Sequence, residues 1–250
     1  IMQQIFVSLF GKSGNLYYIA AIPSAFIVTF LLGCIMEKVL ITRLYGRKMD
    51  SLLATWGISL ILQQAARSIF GSQGVNVNAP DFLKSGLKVG GCTFSYNRIF
   101  IICMVTACLA LVWLLMNKSS FGAQMRATMQ NRSMAQCMGI NSRRVDCLTF
   151  ALGSGLAGVA GCSIALLGSV DSTVGQSYIV YSFMTVVLGG VGNLLGTVIG
   201  AMIIGFSSII VEAYQSASVA RAIVLLIIIV FLQFRPKGLF TIRSRSLDEG

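Results

Sequence analysis

The chain has 250 residues, 56% of them hydrophobic and 11% charged, with a mean hydropathy of +0.82. A soluble domain carries about 25% charged residues, so the composition excludes an ordinary soluble fold and predicts an integral membrane protein. The net charge of +11 comes with no histidine, which excludes Ser-His and Cys-His catalysis and the commonest zinc ligand. The basic residues sit between apolar runs rather than on one face, so they read as topology determinants and not as a nucleic-acid surface. The seven cysteines form no C-x-x-C pair, and no disulfide framework, metal site or other cofactor is expected.

The first residues, IMQQIFVSLFG, read as the end of an earlier helix and predict that further helices precede Ile1 in the full protein. Leu16 to Met36 is long enough to cross a bilayer core of about 30 Å at roughly 1.5 Å per residue, and Lys38, Arg43, Arg47 and Lys48 follow it. Ser51 to Ala66 is a shorter span. Residues 71–97 form a long polar loop in which LKV-GG-CTF predicts a small hairpin across a Gly-Gly turn. Arg98 to Met116 is the next span. A polar island at 117–146 follows, then a span from Cys147 to Gly168. Tyr178 to Gly190 is apolar but short, and Leu195 to Ala213 and Val219 to Phe234 complete the set. Thirteen Lys and Arg fall on the side of the island and the C-terminus and six on the other, which places the island in the cytoplasm. The fold expected is an all-α bundle of five to seven membrane helices in one domain, the count turning on whether 178–213 crosses twice or is re-entrant.

Three motifs carry functional readings. In the island, Phe121, Met125 and Met129 recur at four-residue steps and share a helical face with Arg126 nearby. Asn131 or Arg132 breaks that helix; Met134, Cys137 and Met138 form a second apolar face, and Gly139-Ile140 reads as a helix stop. Two short amphipathic helices between spans suit the docking of a partner. The second motif is the stripe Ser51, Thr55, Ser59, Gln63 and Arg67, with Gln64 beside it. Its hydroxyls either bond back to their own helix or, with the two amides, line a pathway. The third is glycine. Gly153, Ala157 and Gly161, and Gly196 and Gly200, are small residues four apart, as in tightly packed membrane helices. Gly189, Gly190, Gly192 and Asn193 either pack in the same way or break a helix beside a cavity. None of Glu37, Asp50, Asp171 and Glu212 lies mid-span with an ionisable partner, so ion coupling is not expected, and no GxxxxGK[ST] phosphate loop is present.

The run MRATMQNRSMAQCMGINSRRVDCLTFALGSGLAGVAG, the block VVLGGVGNLLGTVIGAMIIG and the closing RPKGLF resemble the permease subunits of ABC importers of the branched-chain amino-acid type. LYGRKMDSLLATWGISLILQQ, SYNR, MQNRSMAQCMGI and GGVGNLLGT are most similar to the urea branch of that family. SYNR departs from its pattern at Ser95, where relatives often carry proline. The resemblance implies two permease subunits, two cytoplasmic ATPases and an extracytoplasmic solute-binding protein in the bacterial inner membrane. It implies that residues 121–140 are the coupling element seated on the ATPase, and that the glycine block and the Leu52 to Gln64 helix lie near the path. Urea transport by alternating access is the function expected, with branched-chain or other amino acids as the rival substrate. A passive urea channel would have no use for a docking island, and a membrane-embedded protease would want histidine or paired aspartates.

Overall fold

The computed structural model describes residues 16–44, 48–71, 86–89, 92–190, 192–214, 216–234 and 238–239. The opening IMQQIFVSLFG segment and most of the polar loop before the hairpin lie outside these. By its internal contacts the chain divides into two compact units, Ile1–Ser172 and Thr173–Gly250, with the boundary in the polar loop that follows Leu167.

In the first unit α1 spans Leu16–Met36, the residues expected from the apolar run, and continues into a π-helical turn, Glu37–Ile41, and a short helical turn, Thr42–Leu44. Thr42 Oγ1 donates to the Glu37 carbonyl oxygen at 3.0 Å and to its carboxylate at 3.1 Å, which ties the widened turn together. Helix α2 spans Lys48–Phe70. The hairpin strands β1 (Gly86–Val89) and β2 (Cys92–Ser95) pair antiparallel with Val89 opposite Cys92, as the Gly-Gly turn predicts. Then come α3 (Tyr96–Lys118), α4 (Ser120–Gln130), α5 (Arg132–Cys137) and α6 (Ser142–Leu167). Among the described residues four helical stretches are long and apolar enough to cross a membrane: Ala21–Ile41, Tyr96–Lys118, Ser142–Leu167 and Leu194–Tyr214. Helix α2 has the length, at 23 residues, but Lys48, Asp50, Gln63, Gln64 and Arg67 dilute its apolar character.

The core of this unit is the crossing of α1 and α6. A Cβ on Gly33 would lie 2.5 Å from Ser154 Oγ, and one on Gly155 would lie 2.6 Å from the Phe26 ring; Gly158 meets Thr29. Ala151, Gly155 and Val159 are buried along the same ridge. This corrects the expected packing row. Gly153, Ala157 and Gly161 lie on an exposed side of α6, and Gly153 and Gly161 would meet nothing within 4 Å. Helix α6 is small-residue rich on several sides, so two rows with the same four-residue step run along it and spacing does not choose between them. At the far end of the crossing Cys34 Sγ and Cys147 Sγ stand 3.1 Å apart as free thiols. At the other, Asn97 Nδ2 donates to the Leu166 carbonyl oxygen at 2.6 Å and fastens the start of α3 to the end of α6.

The second unit holds α7 (Val174–Gly189), α8 (Leu194–Tyr214) and α9 (Ala217–Phe234) around Leu188, Ile204, Val224 and Ile228. Helix α7 begins four residues before the expected Tyr178 and reaches 16 residues, about 24 Å at 1.5 Å per residue. Leu239 N donates to the Leu188 carbonyl oxygen at 2.9 Å, and a Cβ on Gly238 would sit 2.9 Å from Gly190 Cα. Gly238 and Leu239 therefore lie against the end of α7.

Candidate functional site

The polar island is a sequence of caps. Ser119 Oγ accepts from Phe121 N at 3.1 Å and starts α4. Asn131, extended at φ −151° and ψ 107°, ends α4, and its Oδ1 accepts from Met134 N at 3.1 Å to start α5. Gly139, at φ +82°, turns the chain out of α5, and Ile140 N reaches back to the Ala135 carbonyl oxygen at 3.0 Å. This is the glycine stop with its apolar follower that the sequence indicates. Asn141 Oδ1 then accepts from Arg144 N at 3.3 Å to start α6. Two helices of 11 and 6 residues thus stand as a fixed elbow between two membrane-length helices.

The elbow is braced from inside. Gly122 is buried against α3, where a Cβ would come within 2.7 Å of the Leu115 carbonyl oxygen and strike that of Met116. Arg126 donates to the same Met116 carbonyl, and Arg132 pairs with Asp146 in α6. Both arginines, expected to face a partner, are exposed and also hold the elbow to its flanking helices. The face expected of Phe121, Met125 and Met129 also divides: the first two are half-buried, and Met129 is 63% exposed. Ala135 is the residue of α5 that turns inward, leaving Met134 and Met138 at 65% and 79% exposed. What the elbow offers outward is a set of flexible thioethers, Met129, Met134 and Met138, of the kind that adapts to an apolar partner surface.

The brace makes a prediction. Arg132→Glu should cost at least tenfold in transport through repulsion with Asp146, and the double variant with Asp146→Arg should recover most of it. Uptake normalised to membrane-inserted protein checks this; equal loss in the single and double variants would show that Arg132 itself touches a partner.

On α2 the polar stripe resolves in two ways. Thr55 Oγ1 is spent on the Ser51 and Leu52 carbonyl oxygens at 3.0 and 2.9 Å, so it is a helix-bonded threonine. Gln63 Nε2 donates to Ser59 Oγ at 3.3 Å, and Arg67 Nε donates to Ser172 Oγ at 3.0 Å. Gln64 is exposed.

In the second unit the glycine block is a tight helical turn rather than an open strand of backbone. Gly190, at φ +97°, donates to the Val186 carbonyl oxygen and accepts from Asn193 N. Asn193 Oδ1 accepts from Leu195 N at 3.1 Å and Gly196 N at 3.3 Å, capping α8, while its carbonyl takes Thr197. A Cβ on Gly189 would lie 2.5 Å from the carbonyl carbon of Gly196, and one on Gly200 would lie 2.9 Å from the Thr185 carbonyl oxygen. Gly196 and Gly200 are buried in this contact, and Gly192 is exposed at the tip of the turn. The backbone groups of Gly190 and the backbone groups and Oδ1 of Asn193 therefore have partners within the hairpin. Among the described residues no group of three or more His, Cys, Asp or Glu side chains is placed to hold a metal ion.

A family model described as "Branched-chain amino acid transport system / permease component" matches residues 3–232 of the chain. The chain belongs to this permease family. Among its relatives is the high-affinity branched-chain amino acid transport system permease protein BraD of Pseudomonas aeruginosa, 27% identical over 90% of this chain and 75% of that protein. A second is the probable branched-chain amino acid transport permease protein LivH of Methanocaldococcus jannaschii, at 29% over 91% and 76%. The fructose import permease protein FrcC of Rhizobium meliloti is similar over a smaller part, at 26% over 63% and 46%. No solved structure matches. The permease is accordingly a multi-pass membrane transport protein and not an enzyme.

Proposed function

We propose that the permease is the membrane subunit of an ABC importer for branched-chain amino acids, moving its substrate by alternating access in a bacterial inner membrane. The reading rests on the family match together with one observation of structure: the exposed Met129, Met134 and Met138 on an elbow that Gly122, Ala135 and the Arg132–Asp146 pair fasten to its flanking helices. An apolar, adaptable face flanked by cations is suited to the cleft of a cytoplasmic ATPase, which supplies the energy that this chain's sequence does not encode. A second permease subunit and an extracytoplasmic solute-binding protein complete the assembly. The island and the C-terminus lie in the cytoplasm, by the distribution of Lys and Arg. The contact of Gly190 and Leu188 with Gly238 and Leu239, which follow α9 in the chain, favours a full crossing by α7 over a re-entrant one.

The substrate reading shifts from urea to amino acids because BraD and LivH carry branched-chain amino acid names and the urea reading has no support among these relatives. Helix α2 suits such a substrate: Ser59, Gln63 and Gln64 offer hydrogen bonds, and Trp56 and Leu60 on the same helix offer apolar surface. The deciding experiment reconstitutes the importer with its ATPase and binding protein and offers labelled leucine and labelled urea together. ATP-dependent leucine uptake with urea excluded is expected; urea uptake unaffected by excess leucine overturns the substrate reading, and uptake that persists without ATP overturns the importer.

A further inference from the structure

Between the end of α1 and the start of α6 lies a cleft of about 470 Å³ that the transport cycle described above leaves unused. Lys38, Arg143, Arg144 and Asn141 line it, with Glu37 and Leu148. Its volume is that of a small-ligand pocket, about 300–1,000 Å³. The charge balance is unusual for an interhelical space. Glu37 is buried and bonded by Thr42, whereas none of the three cations is held in a salt bridge among the described residues. Arg132, by contrast, has Asp146. Three unpaired cations around one carboxylate that is already engaged leave a net positive space with donors to spare.

Position identifies the ligand. Both helices that form the cleft are membrane-length, Ala21–Ile41 and Ser142–Leu167, and the cleft sits where one ends and the other begins. Lys38 is in the last turn of the first, Arg143 and Arg144 in the first turn of the second. That is the depth at which hydrocarbon gives way to head groups. The lining changes character over the same distance, from the cations and Asn141 to Cys34, Cys147 and Leu148, and Leu148 is 42% exposed on the apolar part of α6. A ligand that matches carries an anionic group at one end and hydrocarbon at the other.

We propose that this cleft binds the head group of an anionic phospholipid, with Lys38, Arg143 and Arg144 on its phosphate and its acyl chains running past Leu148. Basic pockets between membrane helices on the cytoplasmic side take such lipids, and the site is independent of which solute the permease carries. An acidic segment of a partner protein could meet the cations but would gain nothing from the apolar floor, so the lipid is favoured.

The test uses the assembled importer purified in detergent containing equal amounts of phosphatidylglycerol and phosphatidylcholine, with retained lipid read by native mass spectrometry. Wild type should retain phosphatidylglycerol. The triple variant Lys38→Gln, Arg143→Gln, Arg144→Gln should retain it at least about fivefold less, from roughly one Lys or Arg contact's worth of attraction or more. Arg221→Gln, which removes a cation from another helix, should match wild type. So that the test does not depend on assembly of the triple variant, a photoreactive phosphatidylglycerol is also applied to wild type, where it should label the peptide carrying Cys147 and Leu148. Equal retention by wild type and an assembled triple variant overturns the proposal, as does labelling spread evenly over all the spans. Displacement of the lipid by millimolar inorganic phosphate would make this a free-anion site, and lipid bound only after the ATPase is stripped away would make it a protein contact; either result overturns the lipid assignment.

Discussion

Gly189→Val should leave almost no folded permease in the membrane. A Cβ at this position would stand 2.5 Å from the carbonyl carbon and oxygen of Gly196 and from Thr197 N, all of them backbone atoms of the facing helix. Side chains can rotate away from an intruding methyl; a helix backbone moves only by shifting as a whole. On the partner helix Gly200 is hemmed in the same way, by Thr185 O at 2.9 Å and Gly189 N at 3.2 Å, so the two helices touch main chain to main chain. Separating them would draw Leu188 from the cluster with Ile204, Val224 and Ile228 and strain the bond from Leu239 N to Leu188 O. Overpacking of a core costs about 1–3 kcal/mol where side chains absorb it, and this case belongs at the upper end or beyond. The monodisperse peak on size-exclusion chromatography in detergent should fall at least tenfold. Gly205→Val supplies the control: it lies on the same helix α8, meets nothing within 4 Å, and should behave as wild type. Equal yields from the two variants would mean that the α7–α8 contact does not hold the unit together.

The two glycine rows show what a single sequence reveals and where it stops. Gly196 and Gly200 were legible because α8 has large side chains on its other faces, Ile199, Met202, Ile203 and Phe206 all being exposed. Along α6 the small residues run on several faces, and the row that packs was set by a fact outside the helix: the positions of Phe26, Thr29 and Gly33 on α1. Local chemistry was read well wherever a motif is completed within a few residues. The bounds of α1, the hairpin across Gly-Gly, the break at Asn131 and the stop at Gly139-Ile140 are of this kind. Where a polar side chain has two possible uses, the local sequence does not choose between them. Arg126 and Arg132 look like docking residues in a basic island, and only the fold brings the Met116 carbonyl and Asp146 within their reach, 10 and 14 residues away in sequence. Asn193 looks like a pathway amide until its Oδ1 is found on the first amides of α8. Lys38 lies more than a hundred residues before the adjacent Arg143 and Arg144, and no pattern along the chain announces that they share a cleft.

Met134→Asp should give a permease that folds and reaches the membrane but no longer transports. Met134 is 65% exposed, so the folded chain by itself loses little by its replacement. The position is the third of α5, and its backbone N–H is already held by Asn131 Oδ1 at 3.1 Å. A carboxylate in the first turn of a helix is tolerated or mildly favourable, so α5 has no reason to unravel. The cost falls on docking. If the methionines are the surface that the ATPase covers, the variant must carry an ionised group into an apolar contact or leave the contact unmade, and a buried unpaired charge costs several kcal/mol. At about 1.4 kcal/mol per factor of ten, ATP-dependent uptake should fall by roughly a hundredfold or more, with co-purification of the ATPase falling in parallel. Met134→Leu keeps the apolar character and should retain most of the uptake, while Met138→Asp, at the more exposed position of 79%, should reproduce the loss. Full uptake by Met134→Asp would remove the thioether face from the coupling mechanism, and would do so without touching the substrate reading, which the leucine and urea competition decides separately.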